Sequence, residues 1–286
     1  MKKIIAKYKA GYTDMSGLDT YRVMPSQEIA IDALEPFLFL NHHGPQVYPA
    51  NNRGLPFGPH PHKGFETVTF IVDGDIVHTD STGYNSKIEA GGIQWMTAGK
   101  GIIHSENSSK EFLKNGGNVE ILQLWVNLPA KFKNVDPAYI GLQKKDIPHL
   151  VLDGGKVILD AVSGTWEDEK AAIQSLADIH LATISFEKEG KYDINIPENR
   201  TVLFYLISGH LIVNGEKIDK LNLVEFDDQK GKIQIEATEK SLLLIGHALP
   251  NNEPVIAQGP FVMNTRLEIQ EAYADYQEGK FGRWNH

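Results

Sequence analysis

The sequence predicts an all-β protein made of two similar lobes, with a short helix near the C-terminus. Three observations carry that reading. Short runs rich in β-branched and aromatic residues close on glycine turns along the chain, a spacing typical of sandwiches and barrels rather than of alternating β and α units. One strand–glycine–strand pattern occurs twice: Thr67–Val77 (TVTFIVDGDIV) resembles Val202–Ile212 (VLFYLISGHLI), and their glycines, Gly74 and Gly209, lie about half a chain length apart. Helical patterns are confined to two short stretches.

Glu66–Val72 is a strand closed by Asp73-Gly74, and Val119–Asn127 is a strand that ends before Pro129. Ala171–Ala177 reads as a short helix. Leu203–Val213 holds a turn at Ser208-Gly209. Asn214-Gly215 then turns the chain into Glu216–Ile218, an Asn-Gly hairpin in which both turn residues take positive φ. Near the end, Thr265 and Glu268 form a capping box, and Ile269, Ala272, Tyr273 and Tyr276 follow on one helical face, with Gly279 as the stop. The polar segment 131–148, with Pro137 and Pro148, separates an N-terminal domain, 1–135, from a C-terminal domain, 136–286.

At 286 residues the chain is long enough for two domains, and 41% hydrophobic and 23% charged residues are ordinary for a globular protein. Twenty-eight basic against 37 acidic residues leave a net charge of −9, which lacks the basic footprint of direct nucleic-acid binding. The N-terminal apolar run is too short for a signal peptide, and no stretch approaches the length of a membrane helix. The expectation is a cytoplasmic protein that contacts neither membrane nor nucleic acid directly. With no cysteine, thiol catalysis, disulfide scaffolds and iron–sulfur clusters are excluded, and any metal must be held by His, Asp or Glu.

Six of the 11 histidines fall between His42 and His104. In an extended chain His60 and His62 point the same way, and Pro61 biases His60 toward extended geometry. Glu66 shares their parity if the strand stays regular. His104 and Glu106 share parity on a second strand that follows a glycine turn. Pairing of these strands across a small barrel would bring three imidazoles and a carboxylate together, a donor set for Fe(II), Mn, Ni, Cu or Zn. Phe57, Phe65, Trp95, Met96 and Ile103 are candidates for an apolar wall, with core packing the favoured reading for each. His42, His43 and His78 have no assigned role, although His42 or His43 could reach a pocket mouth, and His78 with Asp80 reads as a hydrogen-bonded pair.

Gly54-x5-His60-x-His62-x3-Glu66 and Gly101-x2-His104 resemble the two cupin motifs. The fuller strings are similar to the pirin family: Pro36–Leu38, His60–Val68 (HPHKGFETV), Gln94–Ile102 (QWMTAGKGI), His104–Glu106, Leu122–Asn127 and Gly259–Thr265. The resemblance implies a bicupin, two packed β-barrel (jelly-roll) lobes. It implies one divalent metal per chain in the N-terminal lobe, iron first, with Cu, Ni, Mn or Zn as alternatives. The implied ligands are His60, His62, His104 and Glu106. Glu66 is placed beside them, orienting an imidazole N–H. The C-terminal lobe carries Asn195, Pro197 and Glu239 at the corresponding positions and is expected to hold no metal.

The activity implied is that of a quercetin 2,3-dioxygenase, which opens the central flavonol ring with O2 and releases carbon monoxide. Glu106 is then the general base, and the partners are a flavonol and O2. The alternative is a metal- or redox-sensitive regulatory protein, a transcription co-regulator or enzyme partner, which would bind another protein. A zinc-dependent sugar isomerase is a third reading that the pirin strings disfavour.

Overall fold

The computed structural model describes residues 1–284. Among them the chain is mostly strand, with two α-helices, Lys110–Asn115 and Arg266–Gln277. It forms two compact units, each with a seven-stranded and a four-stranded antiparallel sheet. One unit comprises residues 12–22, 37–145 and 251–286, and the other 1–11, 23–36 and 146–250.

A single cut at 135/136 does not describe this division. The N-terminal strand Ile4–Lys9 pairs with Asn222–Phe226, which ties it to the unit built mainly from the second half of the chain. Residues 251–286 join the first-half unit. There Phe261 bridges Lys63, and the buried Lys133 ammonium donates to the carbonyls of Gly64 (2.8 Å) and Val262 (3.1 Å). Strand pairing and a buried cation, neither of which is local in sequence, decide which unit the termini join.

The internal repeat is a topological one. Phe65–Asp73 lies in a seven-stranded sheet, and Gly74 turns the chain into Asp75–Asp80 of the four-stranded sheet; Thr201–Ser208, Gly209 and His210–Val213 do the same in the other unit. Both glycines sit at positive φ, +86° and +84°. An added Cβ would overlap the Asn118 carbonyl oxygen at Gly74 and the Ser241 hydroxyl at Gly209, so glycine is required on both counts.

The units differ in what fills the space between their sheets. In the second-half unit a large apolar cluster fills it: Leu159, Ile184, Phe204 and Leu243 of the larger sheet meet Ile194, Leu211, Val213 and Ile233 of the smaller. In the first-half unit a smaller apolar cluster, including Ile71, Ile76, Ile88 and Ile121, fills only part of that space. The rest holds buried polar side chains.

The Asn214-Gly215 hairpin is present, with Val213 opposite Glu216. The Thr265–Glu268 capping box is also present; it starts the helix Arg266–Gln277, which buries Ile269 and Ala272. The segment 171–177 is not helical. Ala172 and Ile173 donate backbone hydrogen bonds to the carbonyls of Ala161 and Val162, so pairing against a neighbouring strand overrides a local helical pattern. The helix Lys110–Asn115 was not expected. Its signal is Ser109, whose side chain accepts from the Phe112 amide. Among the described residues no helix is long and apolar enough to cross a membrane.

Candidate metal centre

His60 and His62 lie on the strand Phe57–His62, which pairs with Ile102–Asn107 so that His60 stands opposite His104. This register brings the three imidazoles together: one ring nitrogen from each lies within 4.8 Å of the others. Nε2 of His60 is 3.0 Å from Nε2 of His104. Two imidazole nitrogens bound at right angles to one ion, each at ~2.1 Å, would lie about that far apart.

The outer nitrogens determine which lone pairs point inward. His60 Nδ1 is 2.7 Å from the Gly58 carbonyl oxygen, and His62 Nδ1 is 3.3 Å from that of Pro260. A carbonyl only accepts, so both Nδ1 atoms carry the proton and both Nε2 atoms carry a lone pair. His104 reaches the same state through a chain of side chains. His78 Nε2 donates to Asp80 Oδ2 (2.9 Å), which leaves His78 Nδ1 as an acceptor for the His104 Nδ1 proton, 3.5 Å away. Burial, reinforced by His60, lowers the His62 pKa to about 3. Burial and the neighbouring imidazoles put His104 well below its ordinary value. Neutral rings with converging lone pairs are the donor set a divalent transition metal requires, so the residues fit such an ion.

Burial alone would raise the Asp80 pKa. Hydrogen bonds from His78 and Thr82 outweigh it and hold the carboxyl below its usual range. The His78 ring stacks on Tyr139, with centroids 4.0 Å apart. The residue pair that the sequence left without a role therefore supports the third imidazole.

Glu106 is buried on the cavity wall beside His60 and His62, and it lies outside the group of three whose ligand atoms converge. Its Oε1 accepts from Thr69 Oγ1 (2.8 Å) and from Gln94 Nε2. Glu66 orients no imidazole here. It accepts from Thr97 (2.6 Å), while Gly58, Pro260 and His78 serve the outer nitrogens. The parity argument carried Glu66 through a regular strand, but the chain turns at Gly64 between Phe57–His62 and Phe65–Asp73, and the phase is lost there. Burial raises the Glu66 pKa, opposed by Thr97 and the Trp95 indole.

A cavity of about 290 Å³ opens at the imidazoles. Its floor is a cross-strand ladder. Phe39 pairs with Trp125 and Asn41 with Gln123, and the Phe39 and Trp125 rings stack at 4.7 Å. Phe57 lines it, although core packing is the reading the sequence favours for it. Phe65, Trp95 and Met96 are core residues, and Ile103 packs against the C-terminal segment. His43 lines the cavity, whereas His42 faces Glu120 (2.9 Å). Gly259 and Pro260 complete the wall from far along the chain. Sequence reasoning missed Phe39, Gln123, Trp125 and Pro260 as lining residues. Alternation on the strands 37–48 and 117–127 could have grouped the first three, but no local signal points to Pro260.

Known proteins resemble this chain over most of its length. The Pirin family model matches residues 17–126, and the Pirin C-terminal cupin domain model matches 181–282. A Pseudomonas aeruginosa protein named "Putative quercetin 2,3-dioxygenase" is 34% identical over 250 residues, 87% of each chain. Pirin-1 of Arabidopsis thaliana is 36% identical over 232 residues, 79% of this chain and 78% of its own. The crystal structure of quercetin 2,3-dioxygenase from Acinetobacter baumannii superposes with a TM-score of 0.91 at 34% identity, covering 99% of both chains. With two β lobes, histidines gathered in the first, and both family models matched in order, the chain belongs to the pirin family.

Proposed function

We propose that the site is the metal centre of a dioxygenase that opens the central ring of quercetin-type flavonols with O2 and releases carbon monoxide. One observation carries this reading: three imidazole lone pairs converge at one end of a cavity floored by stacked aromatic rings. The relatives named for quercetin 2,3-dioxygenase support the substrate class. His60, His62 and His104 would hold one divalent ion, with Glu106 as the carboxylate donor beside them. Fe(II) is the ion proposed, and a His and carboxylate set also takes Cu, Ni, Mn or Zn. Asn195 and Pro197 stand where the second lobe would need imidazoles, which supports one ion per chain.

When bound, the ion supplies positive charge for the substrate oxyanion and a redox route to O2. The chain supplies the rest. Phe39 and Trp125 offer a flat apolar surface to the flavonol rings and keep water from the reacting face. Glu106 accepts the proton of the flavonol 3-hydroxyl. Thr69 and Gln94 both hold its Oε1, so the carboxylate is fixed in orientation, and its second oxygen would serve both the ion and the substrate proton. The Tyr139 hydroxyl, 3.2 Å from Gln94 Oε1, steadies that amide.

The test is anaerobic loading with Fe(II), followed by admission of air in the presence of quercetin. Loss of flavonol absorbance with release of carbon monoxide is expected from the parent, and at least a tenfold slower loss from His104→Ala. Equal turnover by His104→Ala would overturn the reading.

A further inference from the structure

Two polar groups on the cavity floor are left without donors, and the mechanism above does not use them. Phe39, Asn41 and His43 alternate onto one face of the strand Phe37–Tyr48, and all three line the cavity. Asn41 is only 3% exposed, and its Oδ1 is buried with no hydrogen-bond partner among the described residues. A buried unpaired acceptor is costly, and native structures keep few of them.

His43 presents a second acceptor. The Thr20 hydroxyl donates to the Leu18 carbonyl (3.1 Å), so the proton between Thr20 Oγ1 and His43 Nδ1, 2.9 Å apart, belongs to the imidazole. His43 Nε2 is then a bare lone pair. Burial, with His42 alongside, holds the His43 pKa down to about 4, so the ring stays neutral.

We propose that Asn41 and His43 form a hydroxyl-recognition subsite, which selects aromatic ligands bearing hydroxyl groups besides the one taken by Glu106. Two acceptors call for donors from the ligand. The adjoining Phe39–Trp125 stack calls for a flat aromatic frame, and a phenolic ring meets both demands. A site built to accept a hydroxyl discriminates against the analogue that lacks it, because its own polar groups then stay unpaired. This inference rests on the function proposed above for the substrate frame.

The experiment compares quercetin with 3-hydroxyflavone, which has the same ring frame and lacks the other four hydroxyls. Binding to metal-loaded protein is followed without O2 by quenching of tryptophan fluorescence. The parent is expected to bind quercetin about tenfold or more tightly than 3-hydroxyflavone. Asn41→Leu and His43→Phe should close that gap by weakening quercetin alone. Thr20→Val keeps the side-chain shape and removes the tautomer lock, so it should narrow the gap even where the other variants do not fold. A parent that binds both flavonols equally, or a gap that persists in all three variants, overturns the subsite and leaves the dioxygenase reading standing. Failure of the parent to bind or turn over either flavonol overturns both.

Discussion

His60 Nε2 and His104 Nε2 lie 3.0 Å apart. Each ring turns its other nitrogen to an acceptor, the Gly58 carbonyl for His60 and His78 Nδ1 for His104. Two lone pairs held that close repel unless a cation lies between them. Metal binding is therefore expected to stabilise the fold by mass action, by about 2.7 kcal/mol at a hundredfold excess over Kd. The parent should show a rise in Tm on adding Fe(II) or Ni(II), and His62→Ala should show almost none. An equal rise in both would refute the assigned ligands.

The Asp80–His78 pair fixes the His104 tautomer from behind. Asp80→Asn or His78→Phe should lower metal affinity by about 10–100-fold, the usual effect of removing a partner of a ligating imidazole. The phenylalanine retains a ring to stack on Tyr139, which separates hydrogen bonding from packing. Competition against a chelator measures the change. Unaltered affinity in both variants would show that His104 needs no such support.

Glu106→Gln keeps an oxygen to accept from Thr69 and Gln94 and removes the base. Turnover of quercetin should fall by about 10²–10⁴-fold. Anaerobic quercetin binding should fall far less, since the aromatic floor is untouched. If kcat stays within a factor of three of the parent, proton transfer lies elsewhere.

In the second-half unit, His247 Nδ1 accepts from Arg200 Nε at 2.7 Å, and the His180 ring stacks on it at 4.4 Å. Burial first, then His180 and Arg200, lower its pKa from 6.5 to about 3, against the opposing pull of Asp178. The unfolded chain takes up this proton first. Stability tied to His247 is thus complete above pH 6.5 and is lost as pH falls toward 3, at about 1.4 kcal/mol per pH unit within that window. Urea unfolding at pH 7 and pH 4.5 should show a smaller acid loss in His247→Gln, whose amide can still accept from Arg200. An identical loss would mean that His247 is not buried neutral.

Local patterning was enough for the strand-rich class, the repeat about Gly74 and Gly209, the hairpin at Asn214-Gly215, the capped terminal helix and the shared parity of His60 and His62. Each of these depends on neighbours within a few residues, where alternation, turn chemistry and capping act directly. Tertiary structure alone decided the rest. Glu66 lost its phase at the Gly64 turn and faces Thr97. Ala171–Ala177 gave up its helical pattern to strand pairing. Residues 251–286 returned to the first-half unit, where Pro260 supplies both a cavity wall and the acceptor behind His62. A ligand's second nitrogen needs a partner from wherever the fold places one, and that partner can lie 198 residues away.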